Sequence, residues 1–458
     1  MKRKSLSVGI LLLLGFAVSV YLFLSSDQFN RGGAVQANSP RETISDAIPQ
    51  EMRKVLYTGT AQPLSEKHEQ YYKEIIYDLL EQNLWTARDV YDAAHYLMLP
   101  MYYAFFSGDG ETVSLFSEFF HRFTQRIQVD AFYEAGELNN LQFFYFATQF
   151  INLCAANDRS DLIPEELPRL AETYAEDYLL RHVANWSTEP TVLAHLQQVL
   201  AGKEYPYSYY SCIEDLDGYT LAILCDLNCY ARLSGNEPSE AMILAADLTK
   251  HIYASPLLNR ETEGGGWLFQ AGVWADHPDF AYAGNEKVTA DIQPCKREDI
   301  PWDSSHFSRW APWLNSYQSA QSDESGYALL ETRKQQLVNQ LVDHVFQNVD
   351  GKWLATTFMD GTNGVYRYSY NIEGVGLEGY ALSGTILIGW WSCLRDARIT
   401  AIYQDILGAF PMAPDCSNPY FDYATVREQN PYFDNATAYT TGMFELIVAC
   451  AAGIVAEK

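Results

Sequence analysis

Positive charge is scarce in this chain. Its 458 residues carry 31 Lys and Arg against 58 Asp and Glu, a net charge of −27. Such a field repels nucleic acid and anionic membrane surfaces, so no nucleic-acid partner is expected. A polyanionic substrate would need a local basic pocket. Cysteine is also sparse, at eight, and its spacing shows no disulfide framework. Cys154, Cys225, Cys229, Cys393 and Cys450 lie in apolar helical runs and read as small buried side chains. Cys225 and Cys229 stand one helical turn apart, but no second Cys/His pair completes a zinc site. Cys212, Cys295 and Cys416 lie in loop-like sequence and are the better candidates for bridges. A fixed-period repeat is missing too, which argues against a solenoid.

Long hydrophobic runs are absent except at the start. Lys2, Arg3 and Lys4 precede an apolar run from Leu6 to Leu24, about the length a bilayer needs. The basic flank predicts a cytoplasmic N-terminus and a main domain on the extracytoplasmic side. The other reading is a cleaved signal, with Val35-Gln36-Ala37 as a cleavage site. The run is long for a signal, and Asp27 to Gly33 separate it from that site, so a membrane anchor over 1–26 is the expectation. Residues 27–63 are polar, with Gly32-Gly33, Pro40 and Pro49, and read as a tether.

From residue 64 to 458 the helical period dominates. Patterns over 86–106, 110–130, 137–156, 164–184, 190–200, 215–234 and 237–253 are followed by 303–321, 325–348, 375–394, 398–409 and 437–455. This predicts a single, mostly α domain of about twelve helices. Ser65, Asp109 and Ser325 are plausible caps. The period lapses between Tyr253 and Asp303, where the aromatic content climbs instead. Five of the ten tryptophans fall there or just beyond: Trp267, Trp274, Trp302, Trp310 and Trp313. Disordered segments are poor in aromatics, so this stretch reads as an ordered, functional insert.

Two groups of residues could carry chemistry. If a helix starts at Asp303, then Asp303, His306, Trp310 and Trp313 share a face bordered by Arg309. Pro312 would kink it. The plainer reading makes Asp303 or Ser304 an N-cap and leaves His306 and Arg309 as satisfied polar groups. Further downstream, Val365 to Ile372 alternates like a short strand, placing Tyr366, Tyr368 and Tyr370 on one face and Arg367, Ser369 and Asn371 on the other. Glu373 follows. A solvated edge strand is the plain alternative. Asp276, His277 and Asp279 crowd one loop without matched ligand spacing, so no metal is expected. Gly374 to Gly379 fits G-x-G-x-x-G, but the run before it is polar and aromatic rather than a buried apolar strand. No cofactor is therefore expected.

Helix number together with a Trp/Asp-rich insert resembles the (α/α)-toroid carbohydrate-active enzymes, over roughly residues 65–458. The resemblance implies an (α/α) toroid whose inner helices and loops form an aromatic, acidic cleft at one end. A glycan or polysaccharide substrate follows from it, with glycoside hydrolysis ahead of uronate β-elimination. From the residues, Asp303 and Glu373 are the first acid pair, with Asp276, Asp291 and Glu378 as substitutes. Elimination would use His306 or Tyr368 as base, with Arg309 or Asn371 facing the substrate carboxylate. Trp267, Trp274, Trp302, Trp310, Tyr368, Tyr370, Asn371 and Asp276 are the expected sugar contacts. A non-catalytic glycan-binding or polysaccharide-assembly protein, and a helical scaffold of a membrane complex, are the rival functions. The oligomeric state is left open.

Overall fold

The computed structural model describes residues 48–86, 89–370, 372–415, 417–421, 430 and 432–455. The expected membrane anchor and most of the tether lie outside the described residues, as do Asn371 and Cys416. No helix among the described residues is long and apolar enough to cross a membrane.

The described chain is mostly helical. It opens with α1 (Gln50–Lys54), then α2 (Glu66–Tyr71), which runs through a π turn into α3 (Tyr77–Glu81). Next come α4 (Asp89–Ser107), α5 (Gly110–Arg126), α6 (Glu137–Ala156), α7 (Leu167–Arg181), α8 (Val192–Leu200), α9 (Asp215–Leu233) and α10 (Glu240–Ala254). After the insert follow α11 (Trp310–Ala320), α12 (Glu324–Gln340), α13 (Ala397–Gly408), α14 (Asn435–Thr441) and α15 (Met443–Gly453). Two antiparallel hairpins interrupt them: β1 (Asn259–Glu261) with β2 (Trp267–Phe269), and β3 (Phe346–Val349) with β4 (Lys352–Ala355).

The helices are of two kinds. In α4, α6, α9, α11 and α15 nearly every residue is buried, whichever way it points. A helix apolar on all sides is stable only when enclosed. Each packs on the next: α4 on α6, α6 on α9, α9 on α11. From α11 the contacts pass to the 3-10 turns of residues 383–394, then to α15, and from α15 back to α4. The second kind buries one stripe. In α5 it is Val113, Phe116, Phe119, Phe120 and Phe123, at helical spacing. Here α5 covers α4, α7 covers α6 and α9, α10 covers α9, α12 covers α11, and α13 covers α15. Close approach of α9 and α11 requires Gly218, since a Cβ there would run into the Trp313 ring.

Polar residues inside this packing are matched. Asp226 of α9 is fully buried; its oxygens accept from the Tyr57 hydroxyl at 2.7 Å, Thr148 Oγ1 at 2.8 Å and Gln149 Nε2 at 2.6 Å. Arg53 of α1 donates to the Ser319 carbonyl and, at 2.7 Å, to that of Gln321. The packed domain thus takes in the last part of the expected tether. All seven described cysteines are free, Cys212 and Cys295 included.

Three local expectations are corrected. The helix expected over 375–394 is a pair of 3-10 turns, Ser383–Ile388 and Trp390–Leu394, divided at Gly389, whose φ is +83°. The strand expected over 365–372 does not form among the described residues: Tyr366 makes only an isolated bridge to Leu377, and Arg367 and Ser369 adopt φ of 52° and 60°, which a strand does not allow. The helix expected from Asp303 becomes regular only at Trp310, after a 3-10 turn over His306–Arg309. Pro312 then falls in the first turn, where proline is tolerated.

Candidate active-site cleft

Local sequence explains how the acids come to stand at the start of α9. Glu214 caps that helix in a reciprocal box: its carboxylate accepts from the Asp217 backbone, and the Glu214 N–H donates to Asp217 Oδ2 at 3.1 Å. Asp215 is the first helical residue. Placing acids at a helix N-terminus favours their charged forms by ~0.3–1 kcal/mol, up to ~2 when partly buried. Here burial wins. The Glu214 carboxyl is pushed well above the usual carboxylate range by burial and by the neighbouring Asp217 and Asp215; Asn185 hydrogen bonds only partly oppose this. Asp217, fully buried, is pushed up to about 7 for the same reasons. One oxygen on each of Glu214, Asp215 and Asp217 has no hydrogen-bond partner among the described residues. Leaving such an atom unsatisfied costs about 1–3 kcal/mol.

Glu214 and Asp215 line a cavity of about 350 Å³ together with Trp186, Trp274, His277, Asp279, Trp302 and Asp303. The Trp274 and Trp302 indole N–H groups are also unpartnered. Unpartnered indoles alone do not mark a site, because Trp310, Trp313 and Trp390 are in the same state and line no such cavity. The indoles gain meaning from the unpartnered carboxyls on the same wall.

A second cavity, of about 360 Å³, lies alongside. Its wall is more aliphatic, with Ile372, Val375, Leu377 and Ile388, and carries Tyr91, His95 and Arg309. The two cavities share His306, Tyr366, Arg367 and Tyr370. Each enclosed helix contributes its start to this lining: Tyr91 and His95 in α4, Leu138 in α6, Glu214 to Leu216 at α9, His306 to Arg309 before α11, Phe444 in α15. The cleft therefore sits at the N-terminal ends of the enclosed helices.

Each cation in the cleft is matched to an acid. Arg309 Nη1 meets Asp215 Oδ2 at 3.1 Å, and its other nitrogens donate to Tyr219 and Tyr91 hydroxyls at 3.2 and 2.9 Å. Burial opposes its charge, but Asp215 and the two tyrosines outweigh burial and hold its pKa above the usual arginine value. Arg367 Nε meets Asp279 Oδ2 at 3.2 Å and lies over the Tyr366 and Tyr370 rings at 5.0 and 4.9 Å. Asp303 accepts from the N–H groups of Ser305 and His306 at 3.1 and 2.9 Å and pairs with His306 Nδ1 at 2.8 Å. Burial raises its pKa, yet His306 outweighs burial and leaves Asp303 below the usual carboxylate value. His277 is held low by burial. Among the described residues no group of three or more His, Cys, Asp or Glu stands close enough to hold a metal ion.

The insert and the 362–378 segment do meet at this end. The Val365 N–H donates to Asn285 O at 2.8 Å, and the Arg367 N–H to Asp279 O at 2.9 Å. Gly364 is obligatory there, because a Cβ would overlap the Ala283 carbonyl. Of the expected site residues, Asp303, His306, Arg309, Trp274, Trp302 and Tyr370 line the cleft. Glu373 is exposed and lines neither cavity. Tyr368 packs on Tyr282 instead, with ring centroids 4.5 Å apart. Trp267 and Trp310 are core residues, 0% and 2% exposed. Asp276 pairs with Lys296 at 3.5 Å and accepts from the Ser208 N–H. Among the substitutes, Asp291 is exposed, and Glu378 accepts from the Val288 N–H beside a separate, open pocket. Sequence reasoning missed Glu214, Asp215, Asp217 and Trp186, and weighed Asp279 only as a metal ligand. The signal was three acids in four residues ahead of an apolar helix, a pattern that reads first as capping.

Compared with protein-family models, with curated proteins and with solved structures, the chain matches none.

Proposed function

We propose that the domain is an (α/α) toroid of six enclosed elements with five covering helices, and that it hydrolyses a neutral glycan in this cleft. The cyclic packing of α4, α6, α9, α11, residues 383–394 and α15 supports the toroid. A single observation carries the activity. Glu214 is a carboxyl whose pKa is pushed well above the usual carboxylate range by burial and by two neighbouring acids, with an unpartnered oxygen, on a cavity wall that also bears Asp215 and Asp279. Glycoside hydrolysis needs one protonated carboxyl to give its proton to the leaving oxygen and one ionised carboxylate as base or nucleophile. Glu214 fills the first role and Asp279, paired with Arg367 at 3.2 Å, the second. Asp303 is a positioning residue that holds the His306 ring through Nδ1. Trp274 and Trp302 form part of the aromatic wall beside the sugar, and Tyr370 offers an exposed face. In this reading the N-terminal run anchors the domain in a membrane and puts the glycan on its extracytoplasmic side.

One observation favours a second reading. The His306–Asp303 pair on the wall between the cavities has the form of an oriented base, as uronate β-elimination requires. Against it, Arg309 and Arg367 are both committed to acids, so among the described residues no spare cation faces a uronate carboxylate. Incubating the full-length protein with neutral and uronate polysaccharides separates the two. Hydrolysis yields new reducing ends alone; elimination adds an unsaturated, ultraviolet-absorbing product. The reading requires that Glu214→Gln abolish reducing-end release.

A further inference from the structure

The aromatic lining does not stop at the cavity mouth. Trp186, 41% exposed, stands edge-on to Trp274 of the cleft wall, with centroids 6.0 Å apart. Beyond it lies Tyr209 at 5.5 Å, and then Tyr207, stacked on Tyr209 at 5.8 Å and 50% exposed. Large rings left open to solvent lose hydrophobic stabilisation, and here the backbone is held to keep them so. Trp186 adopts φ of 54°, which is strained for a bulky residue. The loop carrying the tyrosines is tied to the insert: the Ser208 N–H donates to Asp276 Oδ2 at 3.1 Å, and the Asp276 N–H returns to Ser208 Oγ at 3.0 Å. Gln270 fixes its other end, donating to the Ser211 carbonyl at 2.8 Å and accepting from the Ile213 N–H at 3.0 Å.

We infer that Trp186, Tyr209 and Tyr207 form an additional subsite for a neutral polysaccharide chain running out of the cleft, so that the protein acts on long chains in preference to short ones. The inference rests on the glycan reading of the cleft. Three points select this occupant. The rings present apolar faces with polar tips, which suit a sugar ring and its hydroxyls. The loop is pre-organised, so binding costs little ordering entropy. The stripe is continuous with a cavity whose carboxyls outnumber its cations, and that disfavours a polyanion.

The test is affinity electrophoresis of the full-length protein through gels containing mixed-linkage β-glucan, xylan, galactomannan or polygalacturonate. At least one neutral gel should retard the wild type. Trp186→Ala/Tyr207→Ala should weaken that retardation about tenfold, the worth of roughly one lost stacking contact. Its rate preference for the long polymer over a short oligosaccharide should fall in step. Tyr207→Ala alone, at a half-exposed position outside the core, should show part of the loss with an unchanged melting temperature. Glu214→Gln should be retarded like the wild type while releasing no reducing ends. The inference is overturned by a double variant retarded as strongly as the wild type, by no retardation in any neutral gel, or by retardation in polygalacturonate alone. Should Glu214→Gln turn over normally while the double variant loses retardation, the hydrolytic assignment fails and the subsite stands.

Discussion

The two ends of α9 carry buried acids of opposite character. Asp226, in the second half of the helix, is enclosed in the core and pushed up to about 6 by burial, yet Tyr57, Thr148 and Gln149 satisfy both its oxygens. Glu214, at the N-terminal end, is shifted in the same direction by the same cause, but one of its oxygens has no partner and the residue faces a cavity. Burial and a raised pKa are common to both, so neither marks a site. What separates them is that Glu214 has an unpartnered oxygen and lines a cavity, whereas Asp226 does neither. In the proposed function Asp226 is a structural node and Glu214 a chemical one.

The largest effect should come from breaking the chemical end. Glu214→Gln removes the proton donor but keeps the shape, and reducing-end release should fall by about 10²- to 10⁴-fold, the usual worth of general acid catalysis. Its melting temperature should hold or rise, because a poorly solvated acid is gone. The structural end should answer in the reverse way. Asp226→Ala leaves Tyr57, Thr148 and Gln149 without their acceptor and should cost about 3 kcal/mol in chemical denaturation. Activity per folded molecule should persist.

A smaller effect concerns pH. The folded-state pKa of Asp217 is raised from 3.8 to about 7, so the folded protein binds more protons than the unfolded chain between those values. That stabilising contribution is complete below about pH 4 and is lost as pH rises through about 7. Asp217→Asn should flatten this part of the stability–pH curve, read as melting temperature across buffers. Glu373→Gln, at an exposed position outside both cavities, should show the smallest change: within about 0.5 kcal/mol in stability, with turnover unaltered.

Much of the helical layout is legible in the sequence, because a one-sided stripe such as that of α5 follows directly from spacing. The ordered insert was legible from its aromatics. The acidic wall of the cleft was harder to see. Three acids before an apolar helix fit capping as well as catalysis, and only cyclic packing sets Glu214 beside Asp279 and His306. Asp279 and His306 stand 65 and 92 positions from Glu214 in sequence and leave no local periodic signal. Tryptophan was ambiguous for another reason. Its large apolar ring is suited both to a core and to a sugar, so Trp267 and Trp310, now seen buried, read from sequence like Trp274 and Trp302, which line the cleft. The strand expected over 365–372 failed because alternation says nothing of φ, and Arg367 and Ser369 take left-handed values.

The central claim is that an acid proton on Glu214 drives glycoside cleavage. The most direct measurement is reducing-end release from a panel of neutral polysaccharides by full-length wild type and by Glu214→Gln, with melting temperatures determined on the same samples. The account predicts release by the wild type from at least one polymer, a loss of at least about 100-fold in the variant, and equal or higher thermal stability. A stable Glu214→Gln protein that cleaves at the wild-type rate would contradict it.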